Sequence, residues 1–291
     1  MDRSIPLPAY RQHERRWADH RFIYAVVSRR SGGISIGINL NPDKACNFDC
    51  IYCQVDRDTT PTVREVDLPR LAQELDAILA AERDGSLYTH PPFDALPAER
   101  RGVRDLAFSG DGEPTTYPRF GEAVTIAADA RRRFGLSAAK LVLITDACYL
   151  ARPAVRAALE RLDANNGEIW AKLDAGTESY FELVNRPNFP LRHVLDNILD
   201  AARRRPIVIQ SLFMRVRGEP PPDAEVAAYA DRLAGLIAAG GEIRLVQIYT
   251  IARRTTEVYA EPLANSELDR VANVVRWRVT LPVEVYYGVG G

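Results

Sequence analysis

No run of about 18 apolar residues occurs anywhere in the chain, which excludes a helix that crosses a membrane. The opening M-D-R-S-I-P-L-P-A-Y also lacks an apolar core of signal-peptide length, so a soluble, cytoplasmic protein is expected. Charge of one sign is missing as well. With 38 basic and 39 acidic residues the net charge is −1, and no global field draws the protein to nucleic acid or to anionic lipid. No internal repeat of 20 to 50 residues and no low-complexity tract is found, which excludes a solenoid. Cysteine is scarce, at four in 291 residues, and mostly clustered, so a reducing compartment that keeps the thiols available as metal ligands is expected. What remains is a chain with 46% hydrophobic residues, long enough to bury one substantial core.

The few cysteines are not scattered. Three of the four lie within eight positions of the stretch 39–54, N-L-N-P-D-K-A-C-N-F-D-C-I-Y-C-Q, where Cys46, Cys50 and Cys53 form C-x3-C-x2-C. Three thiols so close on one loop cannot all pair as disulfides, and such spacings let a flexible loop wrap a metal centre. A structural zinc needs four protein ligands, yet His13, His20, His90 and His193 are all distant in sequence. A ferredoxin-type carrier needs four thiolates per cubane, and only three are present. Three thiolates on a four-iron cluster leave one iron open. A zinc loop, or cysteines clustered by chance, are the plainer readings.

At these residues the sequence resembles the radical S-adenosylmethionine (SAM) superfamily, whose signature is this spacing with an aromatic residue, here Tyr52, just before the last cysteine. The resemblance implies a [4Fe-4S] cluster on Cys46, Cys50 and Cys53 and SAM bound to the open iron through its amino and carboxylate groups. It further implies an external one-electron donor of the flavodoxin or ferredoxin kind, and SAM cleavage to methionine and a 5'-deoxyadenosyl radical.

The hydrophobic pattern along the chain is regular. Strands are predicted at 34–40, 103–109, 140–145, 168–174, 206–214 and 243–251, with helices at 68–83, 117–134, 153–162, 178–184, 191–204, 223–239 and 266–275, and a short closing strand at 283–287. Six strand-then-helix repetitions with nearly continuous apolar strands predict an α/β protein with a parallel sheet covered by helices. The count is six units rather than eight, a partial (β/α)6 TIM-like barrel, which is also what the resemblance implies. The expected organisation is one domain over 1–291, with an extension at 1–33, a barrel core at 34–251 and a C-terminal helix and closing strand at 252–291. In such a barrel chemistry belongs at the C-terminal ends of the strands, where the cysteine loop falls.

Other candidates follow from the same rule. After the second predicted strand comes F-S-G-D-G-E-P-T-T, in which Gly110, Asp111, Gly112 and Glu113 resemble the family's glycine-glycine-glutamate motif for the SAM ammonium. An ammonium has only donors and needs converging acceptors. The plainer reading is a turn.

Strand parity in G-E-I-W-A-K-L-D puts Ile169, Ala171 and Leu173 toward helices and Trp170, Lys172 and Asp174 inward. Lys172 and Asp174 then either pair with each other or, as the resemblance implies, bind the SAM carboxylate and ribose. Asn185 and Arg186 of N-R-P are candidate cofactor contacts; Arg186 either grips a carboxylate in bidentate fashion or is a surface arginine. Gln210 with Ser211, and Gln247 with Tyr249, are polar groups in apolar strands and candidate cofactor or substrate contacts. Asp146 stands where many relatives have Asn. Cys148 is a candidate hydrogen-atom donor, or a buried small hydrophobe.

Residues 1–30 hold seven arginines with Tyr10, Trp17, Phe22 and Tyr24 interleaved, a pattern that can stack on bases or simply bury its aromatics and solvate its arginines. N-L-N-P-D-K-A-C-N-F-D-C-I-Y-C and K-L-D-A-G-T-E look most like the branch related to the wyosine-forming tRNA-modifying enzymes. That branch carries a second cluster on upstream cysteines, which are absent here. The expected function is a radical SAM enzyme acting on a small molecule or peptide. A tRNA-modifying enzyme and a metal-stapled binding module without turnover are the alternatives.

Overall fold

The computed structural model describes residue 17 and residues 19–288. In chain order the strands are β1 (Ile23–Ser28), β2 (Gly33–Ile38), β3 (Val103–Phe108), β4 (Lys140–Thr145), β5 (Gly167–Lys172), β6 (Ile207–Leu212), β7 (Met214–Val216), β8 (Ile243–Tyr249), β9 (Ala260–Pro262) and β10 (Val283–Tyr286). The helices are α1 (Leu68–Asp84), α2 (Phe120–Arg133), α3 (Pro153–Asp163), α4 (Glu178–Asn185), α5 (Leu191–Ala202), α6 (Asp223–Ala238) and α7 (Asn265–Arg278). An eight-stranded sheet has the order β1-β2-β3-β4-β5-β6-β8-β10, and β7 pairs with β9 in a two-stranded ribbon. The pairings from β2 to β4 and from β5 through β6 and β8 to β10 are parallel, with helices between successive strands. This is the α/β, partial-barrel architecture expected from the pattern. Among the described residues no helix is long and apolar enough to cross a membrane.

The chain divides into two compact units. The first comprises residues 1–46, 59–144 and 152–168; the second comprises 47–58, 145–151 and 169–291.

In the first unit, α1 starts where Asp67 accepts from the Arg70 N–H and ends at Gly85, which is left-handed at φ 86°. Leu71, Leu75, Ile78 and Leu79 recur at helical spacing and are all buried. The strand β1 lies in what the sequence suggested was a barrel-closing extension. It is antiparallel to β2, with Tyr24 opposite Gly37. A Cβ on Gly37 would fall 2.1 Å from the Tyr24 ring, so the glycine inside I-S-I-G-I makes room for an aromatic neighbour. Glu74 of α1 holds the start of β1: its carboxylate accepts from the N–H groups of Arg21 at 2.9 Å and Phe22 at 2.8 Å, and from Arg70 Nε at 2.8 Å. Phe22 and Tyr24 are therefore core residues, while Tyr10 and the arginines before residue 17 lie outside the described residues.

In the second unit, α4 is capped by Thr177, whose hydroxyl accepts from the Tyr180 N–H, and closes on Arg186 in the left-handed region at φ 43°. Ile51, Val184, Leu212, Met214, Ile251 and Ala260 form one apolar cluster, with Tyr52 and Tyr249 packed on it. Ile51 comes from the cysteine loop itself, so that loop carries its own anchor into this core.

Candidate active site

The second unit builds the segment around Cys50 and Cys53 from the end of α4. The Asp49 N–H donates to the Asn185 carbonyl at 3.0 Å and the Ile51 N–H to the Val184 carbonyl at 3.0 Å, while the Asn188 N–H donates to the Asn47 carbonyl at 3.0 Å. The Cys53 carbonyl accepts from the backbone N–H of Thr256 at 3.0 Å and from its hydroxyl at 3.2 Å. Two sulfurs receive donors: Asn185 Nδ2 lies 3.4 Å from Cys50 Sγ, and the Val55 N–H lies 3.4 Å from Cys53 Sγ. The N-R-P segment thus serves as the clamp of the cysteine loop.

Arg186, expected to grip a cofactor carboxylate, is committed elsewhere. Its guanidinium reaches Asp49 at 3.3 Å, Glu257 at 2.7 Å and the Tyr259 hydroxyl at 2.6 Å, tying two loops together. The left-handed backbone at Arg186 turns its side chain away from the path of Asn185, which is why neighbours in sequence have different partners.

A row of polar side chains crosses the inner face of the parallel strands, as the strand-parity argument requires. Lys172, Gln210, Gln247 and Glu284 are successive partners across β5, β6, β8 and β10. Lys172 Nζ donates to Asp174 Oδ1 at 2.9 Å and to the Tyr249 hydroxyl at 2.8 Å, and lies 5.2 Å from the centre of the Tyr52 ring. Gln210 Nε2 donates to Gln247 Oε1 at 3.1 Å. Asp174, 1% exposed, also accepts from the Tyr52 hydroxyl, the Asn185 amide at 2.9 Å and the Leu212 N–H at 2.8 Å.

Burial alone would lower the Lys172 pKa, but Asp174 and Tyr249 outweigh it and hold the ammonium above its ordinary value. Burial, reinforced by the Asp174 charge, pushes the Tyr52 phenol well up, so it stays a neutral donor. Of the two readings of Lys172 and Asp174, this structure displays the pair.

The first unit presents the other predicted element. The Glu113 N–H donates to the Ala45 carbonyl at 3.0 Å, immediately before Cys46. A Cβ on Gly112 would stand 1.9 Å from that carbonyl oxygen, and one on Gly110 would stand 2.4 Å from Asn39 Oδ1. Both positions are glycine because backbone or side chain already fills the space. Asn39 Nδ2 donates to Asp111 Oδ2 at 2.7 Å, and Asn39 Oδ1 accepts from the N–H groups of Asp111 and Asn41. Glu113, 2% exposed, caps the short turn Pro114–Thr116 by accepting from the Thr115 N–H at 3.0 Å. The N-x-N before the cysteine loop, Asn39 and Asn41, is the element that sequence reasoning missed here. Two amide side chains in a row at a strand end are its visible signal.

Two predicted residues are placed apart from this chemistry. Ser211 follows Gln210, so strand alternation points it to the opposite face, where its hydroxyl meets that of Tyr229 on α6 at 2.6 Å. It is a strand-to-helix contact. Cys148 is buried, with its N–H on Asp146 Oδ1 at 2.9 Å, and Asp146 Oδ2 accepts from Asn47 Nδ2 at 2.9 Å. Asp146 thereby supports the first residue after Cys46.

Cys46, Cys50 and Cys53 form no disulfide and are half-buried. Among the described residues no three Cys, His, Asp or Glu side chains converge as they would on a single metal ion. The loop offers three thiols and no imidazole, two of them already receiving N–H donors. That donor set fits an iron–sulfur group, which takes each thiolate on a different iron, and lacks the fourth ligand of a structural zinc.

No protein-family model matches the chain. A UPF0026 protein of Methanocaldococcus jannaschii is 30% identical over 175 residues, covering 60% of this chain and 46% of the relative. The chain spans about half the length of the curated relatives it matches. Among solved structures, Streptococcus suis SuiB bound to S-adenosylmethionine aligns with a TM-score of 0.56 at 12% identity, covering 89% of this chain and 52% of that one. TYW1 with a lysine-pyruvate adduct bound aligns with a TM-score of 0.51 at 16% identity, covering 85% of this chain and 74% of that one.

Proposed function

We propose that the chain is a radical SAM enzyme, a reading supported by its fold and its three-cysteine loop, and that it binds SAM beside a [4Fe-4S] cluster and uses it for hydrogen abstraction from a small-molecule or peptide substrate. When bound, such a cluster supplies the electron that splits the sulfonium of SAM. The observation that carries the reading is the loop itself: three cysteines outside any disulfide at C-x3-C-x2-C, clamped by the end of α4 and supplied with N–H donors at Cys50 and Cys53. Cys46, Cys50 and Cys53 would hold the cluster.

The remaining roles belong to residues that already present the right groups. Acceptors around Gly110, Asp111, Gly112 and Glu113 suit the ammonium of SAM. Lys172, held charged, suits the SAM carboxylate, and Asp174 suits a pair of ribose hydroxyls. Tyr52 and Asn185 fix Asp174 in place, and Gln210, Gln247 and Tyr249 form the polar floor next to it. The electron would come from an external flavodoxin- or ferredoxin-like donor.

The test is anaerobic reconstitution with iron and sulfide, followed by incubation with SAM and a low-potential reductant. Formation of 5'-deoxyadenosine and methionine is expected. Zinc in place of iron, with no 5'-deoxyadenosine, would turn the assignment to a stapled binding module.

A further inference from the structure

The side-chain amide of Asn185 reaches a sulfur as well as a carboxylate. Asn185 is fully buried at the last position of α4. Its Nδ2 has three acceptors within reach: Cys50 Sγ at 3.4 Å, the Tyr52 hydroxyl oxygen at 3.2 Å and Asp174 Oδ2 at 2.9 Å. The opposite amide orientation is disallowed, because it would set Oδ1 against the Asp174 carboxylate. Oδ1 itself is buried with no hydrogen-bond partner among the described residues. An unpaired buried oxygen is destabilising, and an apolar residue of the same shape would avoid it. The main chain fixes the side chain as well, since the Asn185 carbonyl accepts the Asp49 N–H one residue before Cys50.

We propose that Asn185 is a positioning residue that sets the reduction potential of the cluster by hydrogen bonding to the Cys50 thiolate, an inference that rests on the functional reading above. Reduction by one electron adds negative charge that is shared between the irons and their thiolate sulfurs. An N–H dipole directed at one sulfur stabilises the reduced form more than the oxidised form, so the potential rises. Because the same amide also donates to Asp174, the donor cannot swing away without disturbing the Lys172–Asp174–Tyr249 row. The geometry of the polar floor and the electronics of the loop are therefore set by one residue.

The experiment is a redox titration, followed by electron paramagnetic resonance, of the reconstituted wild-type protein and of Asn185→Leu and Asn185→Asp. Leu removes the donor at similar volume, and Asp, made to hold a proton beside Asp174, leaves one donor in place of two. Both variants should retain the wild-type iron content and show a midpoint potential shifted to more negative values, further for Leu than for Asp. Fully loaded variants with the wild-type potential would overturn the inference. If neither variant holds iron, wild-type protein labelled with 15N at asparagine side-chain amides decides. A weakly coupled 15N signal from the one-electron-reduced cluster supports the inference, and its absence overturns it. Wild-type protein that assembles no iron–sulfur group would instead remove the functional reading itself, a distinguishable failure.

Discussion

A buried lysine persists only where its charge is met, and Lys172 is met by Asp174 and by two tyrosines. Replacing Lys172 with Met leaves the Asp174 carboxylate its three neutral donors but no counter-charge, and removing one partner of a buried pair costs about 3 kcal/mol. Urea unfolding of Lys172→Met should show that loss, and the double variant with Asp174→Asn should recover most of it. The Kd for SAM should rise in the single variant; unchanged affinity would take Lys172 out of the cofactor's reach. Gly112 makes a second test at this scale. A methyl group there collides with the Ala45 carbonyl, and overpacking of this kind costs roughly 1–3 kcal/mol. Because Ala45 precedes Cys46, Gly112→Ala should also lower the iron bound per chain after reconstitution. The alternation rule made Lys172 and Asp174 legible from sequence. The same rule puts Ser211, the neighbour of Gln210, on the helix-facing side of the sheet.

At the level of elements, the contact between α1 and β1 depends on a single carboxylate. Burial by itself would raise the Glu74 pKa, but hydrogen bonds from Arg70 and from the N–H groups of Phe22 and Arg21 outweigh it and hold the group below the ordinary glutamate range. A depressed folded value means that the stabilisation is complete above the ordinary glutamate range and disappears as pH falls through the folded value. Glu74→Gln should therefore lose about 2 kcal/mol at neutral pH, the size of a hydrogen bond to a charged group. The gap to the wild type should close as the pH falls below the ordinary glutamate range. Unfolding curves at neutral and acid pH check both parts.

This contact also shows what the sequence hid. The helix pattern of α1 and the six strands β2, β3, β4, β5, β6 and β8 are readable from periodicity, because each is bounded by polar or turn residues. The strand β1 was not, since its apolar run follows an arginine- and aromatic-rich segment and its partner, Glu74, stands some fifty residues away. The clamp made by Asn185 and Arg186 was half legible: N-R-P marked the place, but only backbone hydrogen bonding to the cysteine loop reveals the task.

For the molecule as a whole, the open choice is between a small substrate and a tRNA. The likeness to TYW1 concerns the fold, and the same fold serves different substrates. Charge discriminates better. A protein that neutralises several phosphates must offer unpaired cations, and its affinity then falls steeply with salt. Here the net charge is −1. Arg70, Arg119, Arg132, Arg133, Arg215, Arg270 and Arg278 are each in an ion pair with a carboxylate. Residues 1–16 are net basic, with four arginines against Asp2 and Glu14. Binding of bulk tRNA, measured by fluorescence anisotropy across a salt series, should accordingly be weak, with a log–log slope equivalent to no more than about one or two phosphates. Removing residues 1–16 should abolish what slope there is while leaving SAM cleavage in place. A slope of several phosphates that survives the truncation would mean that paired arginines on the body of the protein open to meet RNA, and the substrate class would have to be sought among nucleic acids.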